Sequence, residues 1–153
     1  MLSAVYLDAG PLGLVTQRSG VPLADACRQW VDELTNGGVK IYVPEIADYE
    51  VRRELIRSGK TAGLARLDAF IGADRSRFVP ISSRAMSRAA VLWAEARNRG
   101  VPTADARSLD ADVILAAQVL TSNISLSAVV ISTINVRHIA RYVPCELWSN
   151  IHP

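Results

Sequence analysis

The stretch Val5-Tyr6-Leu7-Asp8 is a short apolar run that stops at a carboxylate, close to the start of a 153-residue chain. Apolar and β-branched runs of this kind, bounded by turn residues, predict β-strands. Such runs recur along the whole sequence, at residues 3–8, 39–43, 77–81, 128–132 and 145–148. They predict a sheet whose strands are distributed over the entire chain.

Helical patterns occupy the sequence between these strands. The predicted helices run from Pro22 to the Gly37-Gly38 pair, from Glu45 to Ser58 with Pro44 in the first turn, from Thr61 to Ala73, from Ser83 to Asn98, from Asp110 to Thr121 and from Asn135 to Arg141. Alternating strands and helices predict an α/β fold with a mainly parallel sheet covered on both faces. Ligands bind such sheets beyond the carboxyl ends of the strands, which is where Asp8 falls.

Length and composition favour one globular domain spanning residues 1–153. The chain is 50% hydrophobic and 21% charged, which argues against disorder. No apolar run approaches the ~20 residues of a membrane-spanning helix, and the amino terminus carries no basic leader. We therefore expect a soluble, cytoplasmic protein with no membrane association, in which Cys27 and Cys145 are reduced thiols rather than parts of a zinc site or a disulfide framework.

The basic residues are dominated by arginine. Of 17 basic residues only Lys40 and Lys60 are lysines, although the net charge is only +2. Arginine suits forked contacts to phosphate, so this bias is compatible with a nucleic-acid substrate. Genomic base composition can produce the same bias, so it decides nothing by itself.

Asp8 and Glu50 are the first two candidate ligands of a metal. Asp8 is followed by Ala9-Gly10-Pro11, which favours a turn, and a turn-capping role for its carboxylate is as well supported by this segment as a metal-binding role. Glu50 shares a helix face with Ile46 at the rim of the core. Spacing alone favours an exposed Glu50 paired with Arg53. The competing carboxylates on the same helix are Glu45, Asp48 and Glu54.

Asp112 is the third candidate, and its context is more informative. The helix that follows it is apolar nearly all round, which predicts a central, buried helix. Asp110 lies two residues away and cannot share a helix face with Asp112. We therefore assign Asp112 to the metal and Asp110 to the helix cap or a peripheral position.

A fourth segment begins where the strand at residues 128–132 ends. Asn135 can cap the helix that follows or orient a metal-bound water. His138 is predicted to be structural or to contact phosphate rather than to bind metal, because no second histidine is near in sequence. Residues 101–108 are the least regular stretch, and we expect a loop on the substrate side.

Together these segments resemble the PIN-domain family of ribonucleases, and particularly its VapC-like toxins. The matching stretches are Tyr6-Leu7-Asp8, Pro44-Glu45-Ile46-Ala47-Asp48-Tyr49-Glu50-Val51-Arg52-Arg53-Glu54-Leu55, Asp112-Val113-Ile114-Leu115-Ala116-Ala117 and Thr133-Ile134-Asn135-Val136-Arg137-His138-Ile139. Each is short, but their order and spacing cover almost the whole chain. The resemblance implies a three-layer α/β/α sandwich in which Asp8, Glu50 and Asp112 gather at one end of a parallel sheet and Asn135 completes an acidic pocket.

The same resemblance implies the chemistry. It predicts a Mg²⁺- or Mn²⁺-dependent endoribonuclease in which Asp8, Glu50 and Asp112 hold the metal and Asn135 completes the catalytic group. Oxygen ligands suit Mg²⁺, and such a metal can generate the attacking hydroxide. Thr133, Arg53 and Arg137 are the predicted substrate contacts. The setting implied is a toxin–antitoxin pair, with an antitoxin protein over the acidic pocket and a tendency to form homodimers.

Two departures from the family pattern leave alternatives open. The family usually follows its first Asp with Thr or Ser, whereas this chain has Ala9, and many relatives carry Asp where this chain has Asn135. These differences motivate a second hypothesis, a nucleic-acid-binding or partner-binding module with a weakened site. A phosphatase using Asp8 as nucleophile is disfavoured because Asp8-Ala9-Gly10 lacks a second Asp two residues on.

Overall fold

The computed structural model describes residues 1–100 and 106–153, and only the backbone of Ala106 and Arg107. Its sheet contains five strands: β1 (Ala4–Leu7), β2 (Lys40–Pro44), β3 (Phe78–Val79), β4 (Val129–Ser132) and β5 (Cys145–Glu146). They lie in the order β3-β2-β1-β4-β5, and every pairing is parallel. The predicted parallel sheet is confirmed, with β1 at its centre.

The helices connect these strands across both faces of the sheet. They are α1 (Ala9–Val15), α2 (Pro22–Asn36), α3 (Glu45–Arg57), α4 (Thr61–Gly72), α5 (Ser83–Asn98), α6 (Ala106–Leu120) and α7 (Val136–Ile139), with short 3₁₀ helices at Leu126–Ala128 and Trp148–Asn150. The predictions for α2 and α5 are confirmed at both ends. None of the helices that the structure describes has both the length and the apolar character needed to cross a bilayer.

The two faces of β1 belong to two different hydrophobic cores. Ala4 and Tyr6 pack into a core formed largely by α5 and α6, while Val5 and Leu7 pack into one formed largely by α1 and α2. Successive strand residues point to opposite faces, so a strand covered on both sides must be apolar throughout. This arrangement is the predicted three-layer sandwich.

The turn predicted at Ala9-Gly10-Pro11 is wrong, because these residues form the start of the helix α1. Asp8 is the N-cap, and its side chain accepts the Ala9 backbone N–H. Pro11 is tolerated because the first-turn N–H groups of a helix have no partner within it. Leu12 and Val15 are buried and hold the helix against the sheet. A similar correction applies to Pro44, which ends β2 and is the N-cap of α3 rather than part of its first turn.

The helix α6 begins at Ala106, four residues before the predicted start. Asp110 is therefore not its cap, and Asp112 lies in its second turn. Of the loop predicted at 101–108, residues 101–105 lie outside the described residues and residues 106–108 are helical.

The predicted burial of α6 is confirmed. Its centre includes Leu115, Ala116 and Ala117, which are each at most 2% exposed. The buried Gln118 side chain donates to the Val79 carbonyl at 2.8 Å and accepts the Ile46 N–H at 3.3 Å. This amide fixes α6 against the end of β3 and the start of α3, and so fixes the position of Asp112.

Candidate metal centre

Asp8 is held at the carboxyl end of β1 by three hydrogen bonds. Its backbone N–H donates to the Ser132 carbonyl at 3.0 Å. Its Oδ1 accepts the Ala9 N–H and its Oδ2 accepts the Thr133 hydroxyl, each at 2.7 Å. Burial raises the pKa of Asp8, and these two side-chain contacts oppose the rise. Capping α1 uses only one carboxylate oxygen, so the two roles considered for Asp8 are compatible.

Thr133 is a positioning residue for Asp8. It is fully buried, and its Oγ1 also accepts the Asn135 N–H at 2.9 Å. A side chain without exposure cannot contact a substrate strand, so its predicted substrate role is corrected. The Ala9 N–H and the Thr133 hydroxyl together position both carboxylate oxygens of Asp8.

Asn135 links this turn to Asp112. Its Nδ2 donates to Asp112 Oδ2 at 3.4 Å, and its side chain makes no capping bond to α7. The capping alternative for Asn135 is therefore wrong, although the residue does occupy the N-cap position. A series of hydrogen bonds runs from Asp8 through the Thr133 hydroxyl, the Asn135 backbone N–H and the Asn135 side chain to Asp112.

Asp112 has the most perturbed carboxyl group of the site. Burial, followed by the charges of Asp8 and Glu50, raises its pKa from 3.8 to about 7, while Asn135 and Arg141 act in the opposite direction. Like charges must be close to act in this way. The three carboxylates therefore lie within range of one another's charge, and we call Asp8, Glu50 and Asp112 the acidic centre.

Glu50 reaches the acidic centre from α3. It is half-buried, and burial followed by the Asp8 charge raises its pKa, which Arg53 lowers. Within the described part of the chain Glu50 forms no ion pair with Arg53, whose guanidinium lies 5.0 Å from the Tyr49 ring centroid. The exposed, paired Glu50 that spacing favours is not what the fold produces.

The three competing carboxylates on α3 are engaged elsewhere. Their partners are the Ile81 backbone N–H for Glu45, the Arg52 guanidinium for Asp48 and the Arg57 guanidinium for Glu54. Glu50 is thus the α3 carboxylate left to face Asp8. Asp110 is exposed and lies in a shallow groove with Trp93 and Ile114.

The donor set fits a hard divalent cation. Partly buried carboxylates that raise one another's pKa are stabilised by a positive charge placed among them, and carboxylate and amide oxygens are the ligands that Mg²⁺ prefers. Among residues 1–100 and 106–153, no three His, Cys, Asp or Glu side chains are close enough to hold one ion directly. Mg²⁺ usually keeps several waters, so an ion at the acidic centre would be bound partly through water.

Basic residues border the acidic centre. A cavity of about 850 Å³ between α1, α3 and α4 includes Glu50 and Arg53 in its lining, together with Arg18, Lys60 and Arg66. Arg137 is exposed on α7, and His138 beside it is half-buried. The influence of Arg141 on Asp112 was missed by sequence reasoning, because only folding places the residue after α7 beside α6.

The comparisons with known proteins agree with this architecture. A family model for the PIN domain matches residues 5–142. No curated protein sequence matches the chain.

Three solved structures share the fold. VapBC2 from Rickettsia felis, bound to a DNA fragment from their promoter, matches with a TM-score of 0.66 and 14% identity over 95% of this chain and 98% of that chain. FitAcB from Neisseria gonorrhoeae matches with a TM-score of 0.67 and 16% identity over 96% and 99%. DNA-bound VapBC from Salmonella typhimurium matches with a TM-score of 0.61 and 18% identity over 97% and 99%.

Proposed function

Because this chain belongs to the PIN domain family, we propose that it is a metal-dependent endoribonuclease that hydrolyses RNA phosphodiester bonds. The observation that carries the proposal is the acidic centre. The carboxylates of Asp8 after β1, Glu50 on α3 and Asp112 on α6 lie within range of one another's charge, and each has a raised pKa. Grouping partly buried carboxylates costs free energy, and carboxylates that only stabilise the fold would gain nothing from it.

Asp8, Glu50 and Asp112 would hold Mg²⁺ or Mn²⁺. The bound ion would supply a Lewis acid, which lowers the pKa of a water and offsets negative charge at the phosphate. The chain's own contribution is to fix these ligands. Thr133 and the Ala9 N–H orient the two oxygens of Asp8, and the Asn135 amide occupies one oxygen of Asp112.

The basic surroundings suit an RNA strand. Arg53 lines the cavity beside Glu50, and Arg137 is exposed on the helix that follows Asn135. Guanidinium groups in these positions can bind the phosphates that flank the scissile bond. Both residues keep their predicted substrate roles in this proposal.

A toxin–antitoxin pair is the proposed setting, in the cytoplasm. The support is the shared fold with chains of VapBC and FitAB complexes, some of them bound to DNA. In this setting an antitoxin protein would cover the acidic centre, and the enzyme would form homodimers.

The test is cleavage of a structured RNA by the purified protein with Mn²⁺. Asp8→Asn should abolish cleavage while keeping the fold, because asparagine is also a good N-cap. Asp112→Asn and Asp110→Asn form a matched pair on one helix. We expect the former to lose about 100-fold or more in rate and the latter to retain activity.

Two results would count against the enzyme. Cleavage that persists in Asp8→Asn would identify a contaminating nuclease. RNA binding without cleavage by the wild-type protein would favour the weakened binding module, which Ala9 and Asn135 motivate.

A further inference from the structure

A second basic cavity lies beside the acidic centre, formed by α5, the end of α6 and the turn after α7. Its volume is about 560 Å³. Its lining includes three arginines, Arg88 and Arg99 on α5 and Arg141 after α7, against a single carboxylate, Glu95. In the part of the chain that the structure describes, none of the three arginines forms an ion pair. The cavity is therefore strongly cationic.

The cavity and the acidic centre are neighbours. Asn135, at the start of α7, donates to Asp112 Oδ2 at 3.4 Å. Arg141 and Tyr142, which line the cavity, follow the other end of this four-residue helix. A helix of this length spans only about 6 Å. An anion in the cavity would thus lie next to whatever occupies the acidic centre.

The lining suits one nucleotide of a strand. The arginines offer forked donors for a phosphate, and arginine binds phosphate in this way better than lysine does. Tyr142 is half-buried and the buried Leu92 forms part of the wall, so an aromatic and an apolar surface lie beside the donors. Bases of single-stranded RNA stack on aromatic side chains of this kind.

We propose that this cavity, which we call the α5 subsite, binds a phosphate of the RNA strand flanking the scissile phosphate at the acidic centre. The identity of the strand rests on the proposed function. The cavity beside Glu50 lies between α1, α3 and α4, whereas the α5 subsite adjoins Asp112 and is built from other elements. A chain of regularly spaced anions is the ligand that can occupy both cavities and the acidic centre at once.

The experiment compares two double variants that change the charge equally on one helix. Arg88→Ala/Arg99→Ala removes two arginines of the α5 subsite, and Arg84→Ala/Arg97→Ala removes two exposed arginines outside its lining. Binding is measured with a fluorescent, uncleavable single-stranded RNA analogue in EDTA, at several salt concentrations. Cleavage kinetics in Mn²⁺ are measured in parallel.

The first variant should bind RNA ~10-fold or more weakly. The slope of its log–log salt dependence should be shallower by about 0.7, because one phosphate contact on a single strand is lost. The weaker RNA binding of this variant should raise KM more than it lowers kcat. Arg99→Lys should retain part of the affinity, since it keeps a charge but not the fork. The Arg84→Ala/Arg97→Ala variant should match the wild type.

The other possible outcomes distinguish a failure of the α5 subsite from a failure of the proposed nuclease activity. If the wild type cleaves RNA and Arg88→Ala/Arg99→Ala matches it in affinity, slope and KM, the α5 subsite is overturned and the nuclease stands. If the wild type does not cleave but RNA binding depends on these arginines, the subsite stands and the nuclease fails. Loss of binding to a polyglutamate peptide with RNA binding intact would assign the cavity to a protein partner and overturn the proposal. The single variants Arg88→Glu and Arg99→Glu repeat the test if the double variant melts early.

Discussion

Thr133 connects two carboxylates of the acidic centre. One hydroxyl donates to Asp8 and accepts from the backbone of Asn135, whose side chain in turn contacts Asp112. The two carboxylates are therefore positioned by a single turn of backbone after β4. Removing that hydroxyl should disturb both of them.

We expect Thr133→Val to lose about 10- to 100-fold in cleavage rate and about 1–3 kcal/mol in stability. The partly buried Asn135 N–H and one Asp8 oxygen would lose their partner, because valine has nearly the same shape but no hydroxyl. Cleavage assays and urea denaturation measure the two effects. Thr133→Ser, which restores the hydroxyl, should recover most of both, and an inactive serine variant would contradict this role.

Asp112 gives the metal-free protein a characteristic pH dependence. Its pKa in the folded state is about 7, compared with an ordinary value of 3.8. Between these values the folded protein keeps a proton that the unfolded chain has released, so stability falls as pH rises through this window. The raised pKa values of Asp8 and Glu50 act in the same direction.

Urea denaturation in EDTA at pH 5 and pH 8 measures this effect. The wild type should be less stable at pH 8, and Asp112→Asn, which cannot ionise, should show a smaller difference. Asp110→Asn, on the same helix but exposed, should keep the wild-type difference. Equal differences between pH 5 and pH 8 for wild type and Asp112→Asn would show that burial and the neighbouring charges do not raise the pKa of Asp112.

At the scale of elements, α3 carries both a carboxylate that stabilises the fold, Asp48, and a carboxylate of the acidic centre, Glu50. Asp48 is 9% exposed and binds Arg52 through two hydrogen bonds of 3.1 and 2.9 Å. Arg52 also binds Asp68 of α4 at 2.8 Å. This network fixes α3 against α4 and so fixes the direction in which Glu50 projects.

Arg52→Ala should cost about 1–3 kcal/mol, because the buried Asp48 carboxylate would lose its partner. Chemical denaturation measures the loss. Arg57→Ala on the same helix is the matched control, since the side chain of Arg57 is 72% exposed and its ion pair with Glu54 should contribute less than about 1 kcal/mol. If both variants lost the same stability, the network between α3 and α4 would not be what holds the helices.

At the scale of the whole molecule, the parallel sheet assembles the acidic centre. Asp8 and Thr133 follow β1 and β4, which are neighbours in the middle of the sheet, and α3 and α6 bring Glu50 and Asp112 to the same edge. Parallel strands place their carboxyl ends together, which explains why residues 125 positions apart share a hydrogen bond.

Metal binding should therefore stabilise the entire fold. Mn²⁺ at 100 times its Kd would add about 2.7 kcal/mol, which corresponds to a rise in Tm of about 5–10 °C for a domain of this size. Thermal unfolding at pH 8 with and without Mn²⁺ measures it, and EDTA should reverse it. Asp8→Asn and Asp112→Asn should show a much smaller rise, and equal rises in these variants would place the metal elsewhere.

The sequence by itself determined the strands, most of the helices and the candidate carboxylates Asp8 and Asp112. These features depend on local patterns: the apolar run that stops at Asp8, the nearly continuous apolar surface after Asp112, and turn residues between elements. It did not predict α1, because the Ala9-Gly10-Pro11 sequence by itself favours a turn. The helix is stabilised only when Leu12 and Val15 pack into the hydrophobic core.

The tertiary structure decided which side chains act together. The spacing on α3 favoured a Glu50 paired with Arg53, and only the packing of α3 against α1 and α6 turned Glu50 toward Asp8. The contacts of Thr133 with Asp8 and of Asn135 with Asp112 likewise join elements distant in sequence. Burial and helix periodicity are properties of a segment and can be recognised from it, whereas the meeting of charges depends on how separate segments pack.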